Sequence, residues 1–172
     1  MGKFLSIVIV ASALIAGVGL YYLQVYHFYQ EVIPTGVDDV QLTARATDTT
    51  EVIGYDEFQA IDADSSPIRY RACFTTPTDM TALRDTYVAY DDPVPLEAPG
   101  WFECFDAGLV GTALESGSAQ AFLGQRDVIY GIDRVVAIFD DGRGFVWHQI
   151  NPCGEVVFDG QPVPDTCPEP PS

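Results

Sequence analysis

Hydrophobic positions are distributed in two regimes. Residues 4–23 form an uncharged run in which only Ser6 and Ser12 carry polar side chains before the tyrosines at its end. At a rise of about 1.5 Å per residue, about 20 helical residues cross the roughly 30 Å hydrocarbon core of a bilayer, so the run predicts a transmembrane helix. It passes through Leu23 and Val25 into the rings of Tyr21, Tyr22, Tyr26, Phe28 and Tyr29, side chains suited to a lipid–water interface. The helix is expected to continue to about Glu31, with Pro34 and Gly36 ending it. Residues 1–31 are thus an anchor and 32–39 a linker.

Beyond the linker the pattern shortens. Residues 40–46 and 58–63 read as strands, and residues 68–75 alternate Ile68, Tyr70, Ala72 and Phe74 against Arg69, Arg71 and Cys73, as a central strand does. Thr78-Asp79 opens a predicted helix to about Tyr90, with Asp79 suited to the helix start. Residues 101–106 read as a strand, and 108–123 as a helix, with a break at Gly117 left open and Gly124 as its C-terminal glycine. Residues 134–139 and 145–150 flank Asp140-Asp141-Gly142-Arg143-Gly144, a hairpin signal because glycine supplies the positive φ of such turns. Residues 156–158 suggest a further strand. The expectation is an α+β fold: one N-terminal transmembrane helix, then a single domain (40–161) with a largely antiparallel sheet and one or two helices packed on one face, and a Pro-rich tail (162–172).

Charge gives the anchor a direction. Lys3 precedes the apolar run while Glu31, Asp38 and Asp39 follow it, so the positive-inside bias predicts a cytoplasmic N-terminus and an exported domain. Ala11-Ser12-Ala13 and Gly17-Val18-Gly19 resemble signal-peptide cleavage sites. The first would leave a very short apolar core and the second is outlasted by the run, so retention is expected. No cysteine near the anchor suggests a lipoprotein.

All twenty-five acidic residues and seven arginines follow the run; seven less twenty-five leaves −18 on the exported part. Such a field keeps a domain soluble and attracts a basic partner or ion, and it disfavours nucleic acid. Cys73, Cys104, Cys153 and Cys167 all lie in this part, where disulfides persist. Three pairings are open, and clustering favours Cys73 with Cys104 and Cys153 with Cys167. No C-x-x-C spacing supports zinc, and C-x-x-C-H haem attachment is absent. The only asparagine, Asn151, precedes Pro152, so no glycosylation acceptor exists. Arginine in place of lysine, with an Ala, Gly and Asp bias, suits a high-GC bacterial gene, which makes the exported side the periplasm and the membrane the inner one.

Candidate chemistry is sparse. Asp62-x-Asp64-x-Ser66 begins like a calcium loop, but Pro67 stands where the sharp-turn glycine belongs and Cys73 where the last carboxylate belongs. His148 could act as a base for Ser116 or Ser118, yet no G-x-S-x-G surrounds either. His27 lies in the aromatic belt, and Lys3 lies across the membrane from the serines of the exported domain. No catalytic residue, cofactor or metal is expected. Asp91 with Asp92, and Asp140 with Asp141, are adjacent acids in turns; if the field steers a basic carrier, these four are where it can be tested. Ala13, Ala16 and Gly17 make a small-residue patch through which another helix could approach.

The opening Met1-Gly2-Lys3, the stretch Ala16-Gly17-Val18-Gly19-Leu20-Tyr21-Tyr22-Leu23-Gln24-Val25-Tyr26 and the following Phe28-Tyr29 resemble the N-terminus of an uncharacterised bacterial family of small single-pass membrane proteins, a resemblance that implies no activity. The layout is similar to accessory subunits of bacterial respiratory complexes, a similarity of architecture alone. It implies a non-catalytic accessory or assembly subunit of an inner-membrane complex, a respiratory one handling a soluble basic cytochrome c. The partners would be that complex, through the anchor, together with the lipid bilayer and the carrier. The alternative is a membrane-tethered periplasmic binding or sensor module.

Overall fold

The computed structural model describes residues 2–171. The apolar run folds into α1 (Gly2–Tyr22) and a π-helical turn, Leu23–His27, and none of its α1 residues is buried. Together they are long and apolar enough to cross a membrane. Helical backbone stops at His27, before Pro34, because the next residues have a sheet to join: β1 (Gln30–Glu31) pairs with β4 (Asp56–Asp62).

The domain is built on a six-stranded antiparallel sheet in the order β1-β4-β5-β8-β7-β6, where β5 is Arg71–Thr75, β6 Ala119–Ile129, β7 Ile132–Phe139 and β8 Arg143–Ile150. A separate hairpin pairs β2 (Gln41–Thr43) with β3 (Thr50–Val52). Helices α2 (Met80–Thr86), α3 (Ala107–Ser116) and α4 (Pro152–Phe158) complete the chain. The fold is α+β, as the alternation of patterns predicts.

Both faces of the sheet are covered, where helices on one face were expected. Successive β7 residues explain why: Val135, Ala137 and Phe139 pack in a cluster with Val110 and Ala113 of α3, whereas Val136 and Ile138 pack with Leu42 of β2 and Leu83 of α2. A strand apolar on both sides cannot leave either to water.

Several elements differ from the sequence reading. Asp79 caps α2, accepting from the N–H groups of Thr81 and Ala82, but the helix ends at Thr86 and Tyr87 turns extended to bridge Ala44. Residues 101–106 are turns, not a strand, since Cys104 is tied to Cys73 and Trp101 reaches the anchor. The expected helix 108–123 breaks at Gly117, which takes φ +79, and the chain reverses into β6. Gly124 lies inside that strand, where a Cβ would meet the Arg134 carbonyl and the Val136 side chain, both at 3.0 Å. Residues 156–158 are helical because Asn151 caps Gly154 and Pro152 opens α4.

Strand register gives the sheet two distinct ends. Gln30, Asp62, Arg71, Ile132 and Ile150 lie at the end where the anchor enters; Thr75, Phe139 and Arg143 lie at the far end.

Candidate functional site

The joint between anchor and domain is held by side chains of the domain. A helix end leaves carbonyls without intrahelical donors, and here the domain supplies them. The Trp101 indole N–H donates to the Val25 carbonyl at 2.7 Å, and the Arg69 guanidinium donates to the Gln24 carbonyl at 3.3 Å. Tyr29 packs edge-on against Trp101 with centroids 6.0 Å apart, and Arg69 lies 5.4 Å over the Tyr29 ring.

The loop that carries Trp101 is held by Arg71, only 3% exposed. Among the described residues its guanidinium has no hydrogen-bonded carboxylate partner, and it donates to four carbonyls: Ile68 (2.8 Å), Tyr70 (2.7 Å), Leu96 (2.8 Å) and Glu97 (3.1 Å). Burial pulls it down to about 10, so it stays charged at neutral pH. The Cys73–Cys104 disulfide fastens the end of the same loop to β5. A second disulfide, Cys153–Cys167, ties the tail to α4, and the Tyr130 hydroxyl donates to the Pro168 carbonyl at 2.8 Å.

At the anchor end Asp91 and Asp92 border a cleft of ≈ 490 Å³ lined also by Tyr90, Arg126, Asp133 and Gln149. Gln149 holds the loop there, donating to the Asp92 carbonyl and accepting from the Val94 N–H. The floor is a closed network. Buried Asp133 accepts from the Asn151 amide (2.9 Å), the Asp127 N–H (2.9 Å) and the Tyr90 hydroxyl (3.3 Å), and Asp127 accepts from Asn151 and the Gly131 N–H. Burial, then the Asp133 charge, pushes the Tyr90 hydroxyl well above its ordinary value. These groups pin the β6–β7 turn to α4.

Asp140 and Asp141 lie at the opposite end, on the rim of a ≈ 820 Å³ open groove between α3 and the β7–β8 turn. Each stands near a cation, Asp140 at 3.9 Å from Arg84 and Asp141 at 2.9 Å from Arg143. The two acidic pairs therefore do not form one patch. Ala13, Ala16 and Gly17 are exposed on α1, and nothing lies within 4 Å of where a Gly17 Cβ would stand.

Among the described residues His148 has no serine partner. Its Nε2 accepts from the Arg134 Nε–H at 3.1 Å, which leaves Nδ1 to donate to the Pro67 carbonyl at 2.8 Å; its ring stacks on Tyr70 at 4.8 Å. Burial, reinforced by Arg134, pushes its pKa down to about 4. Ser116 and Ser118 hydrogen-bond each other near the β7–β8 turn, at the other end of the sheet. Asp62 accepts from the Ala63 N–H and is raised by burial, while Asp64 is exposed. Among the described residues no cluster of His, Cys, Asp or Glu is arranged to hold a metal ion.

Sequence reasoning missed Arg69, Arg71 and Trp101. The available signal was a charged residue inside an apolar alternating strand, since a buried cation must have partners brought to it.

Residues 40–168 match the family described as a family of unknown function, DUF6446. The chain belongs to that family. The match covers the domain and leaves out the anchor, on which the sequence resemblance chiefly rested. No curated protein and no solved structure matches the chain.

Proposed function

We propose that this member of the family is a non-catalytic accessory or assembly subunit of a bacterial inner-membrane complex, retained through α1 with its N-terminus cytoplasmic and its acidic domain periplasmic. In this reading the complex is respiratory and its soluble carrier is a basic cytochrome c. The observation that carries the proposal is the joint: the β1 ladder with the Trp101–Val25 and Arg69–Gln24 hydrogen bonds fix the domain to the anchor end. A fixed domain suits a subunit that covers one surface of a partner; a searching module needs a free tether. The bare flanks of α1 suit packing against other helices, with Ala13, Ala16 and Gly17 as the close-approach patch.

The test is native purification in mild detergent followed by intact mass measurement. The expected outcome is co-migration with a large complex and a mass that includes the N-terminal segment; a free monomer, or a mature chain starting near Leu20, overturns the proposal. Ala13→Leu with Gly17→Leu should release the subunit from the complex while leaving it in the membrane.

A further inference from the structure

We propose that the loop of residues 93–101 is a second membrane contact, seating the domain on the bilayer with the Trp101 indole at the headgroup–acyl boundary. The proposal rests on α1 being a retained, membrane-spanning anchor and adds a lipid-facing surface to the domain itself.

The apolar run of residues 4–23 matches the roughly 30 Å hydrocarbon core, which puts Val25 just outside it. Trp101 donates to the Val25 carbonyl at 2.7 Å, so its ring lies at the same level as the backbone there. Tyr21, Tyr22 and Tyr26 cluster on one side of that helix end and Tyr29 packs on Trp101 itself. Aromatic rings with a polar edge favour this layer.

A loop pressed on lipid by chance would be mobile, whereas this one is held from behind by Arg71 through the Leu96 and Glu97 carbonyls, by Gln149 at Val94 and by the Cys73–Cys104 disulfide. With the backbone tied down, Val94 is left 56% exposed.

The surroundings extend the same surface. Ile129, at 57%, lies at the anchor end of β6, and Phe158, at 54%, lies against the β6–β7 turn at that end. Away from this end an exposed apolar residue such as Leu109 of α3 stands singly, as on most protein surfaces. Asp91, Asp92 and Glu97 in or beside the loop would be repelled by anionic lipid, so contact is through aromatic and apolar groups against zwitterionic headgroups, not through charge.

The full-length protein reconstituted in phosphatidylcholine vesicles tests this, with bromine atoms carried either near the headgroup end of the acyl chains or near their termini. Trp147, the other tryptophan, is fully buried and serves as the internal reference. Shallow bromines should quench the emission more than deep ones, aqueous iodide should not reach Trp101, and Trp101→Phe should abolish the quenching while the Trp147 emission persists. If the protein floats with the vesicles but shallow bromines leave its emission unchanged and iodide quenches it, the loop stands clear of lipid and the proposal fails while the anchor reading stands. If the protein does not float, the anchor reading fails and takes the proposal with it.

Discussion

At the residue scale, the buried charge of Arg71 is compensated by hydrogen bonds to carbonyl dipoles, with the Asp62 and Glu97 charges adding at longer range. Four carbonyls from two chain segments converge on one planar fork, an arrangement that arginine's fixed donors suit and lysine's single ammonium does not. Arg71→Met would leave those carbonyls without donors, and a loss on the order of 3 kcal/mol is expected, with Arg71→Lys intermediate; urea midpoints at constant slope measure it. His148 makes a pH prediction of definite sign. Folding lowers its pKa from 6.5 to about 4, so the unfolded chain binds the proton first as pH falls. Stability is full above about 6.5, declines toward 4 and levels off below, a loss of about 3 kcal/mol from this group. Arg134 and Arg71 add to the effect, and the Pro67 carbonyl opposes it. His148→Gln, which keeps a donor and an acceptor, should flatten the decline between pH 6.5 and 5; an unchanged slope there would show that other groups cause it.

At the element scale, legibility follows from how much of an element is decided locally. The anchor helix and the β7–β8 hairpin read directly, because one is a continuous apolar run and the other has its turn glycines between β-rich runs. Gly117 read as an open break in a longer helix, and β6 after it did not read. The small side chains from Ala107 to Ala121 suit a helix or a strand, and only the pairing of Ala119 with Phe139 and of Ala121 with Ala137 decides for a strand after Gly117. Residues 101–106 failed in the other direction, their β-rich composition overruled by a disulfide and an indole hydrogen bond to distant residues. The joint was illegible for the same reason, since Trp101 and Val25 are 76 positions apart. Disulfide removal should separate local from distant effects. By loop length, separations of 31 and 14 residues correspond to about 4 and about 3 kcal/mol of chain-entropy stabilisation. Replacing Cys73 and Cys104 by alanine should also raise hydrogen exchange throughout residues 93–106, whereas replacing Cys153 and Cys167 should free only the tail. Gly154 adds a close approach: a Cβ there would overlap the Gly131 carbonyl. Gly154→Ala should lower stability by about 1–3 kcal/mol, seen as a fall in thermal midpoint with the sheet retained.

At the scale of the whole molecule, the question is how a domain carrying −18 presents its charge to a basic carrier. The two acidic pairs sit at opposite ends of β8: Gln149 holds Asp92 near the anchor, and Asp141 pairs with Arg143 at the far end. Six residues of strand at about 3.4 Å each separate them by roughly 20 Å. The Debye length is about 30 Å at 0.01 M salt, about 8 Å at 0.15 M and about 3 Å at 1 M. The pairs therefore act together at the lowest salt and separately at physiological salt. In the proposed orientation a soluble carrier approaches from the far end and meets Asp140 and Asp141 first. Their partners Arg84 and Arg143 are themselves about half exposed, so those ion pairs are weak and leave the summed field largely intact. If the field steers, Asp140→Asn with Asp141→Asn should slow association with the parent complex at 0.01 M and retain a smaller effect at 0.15 M. Asp91→Asn with Asp92→Asn should act only at 0.01 M, and neither variant should matter at 1 M. Stopped-flow association rates across that salt series give the comparison. Equal effects of both pairs at 0.15 M would contradict the orientation. Unaltered association at low salt after deletion of the whole protein, with the complex falling apart in detergent, would mean that the domain clamps its neighbours and its charge only keeps it soluble.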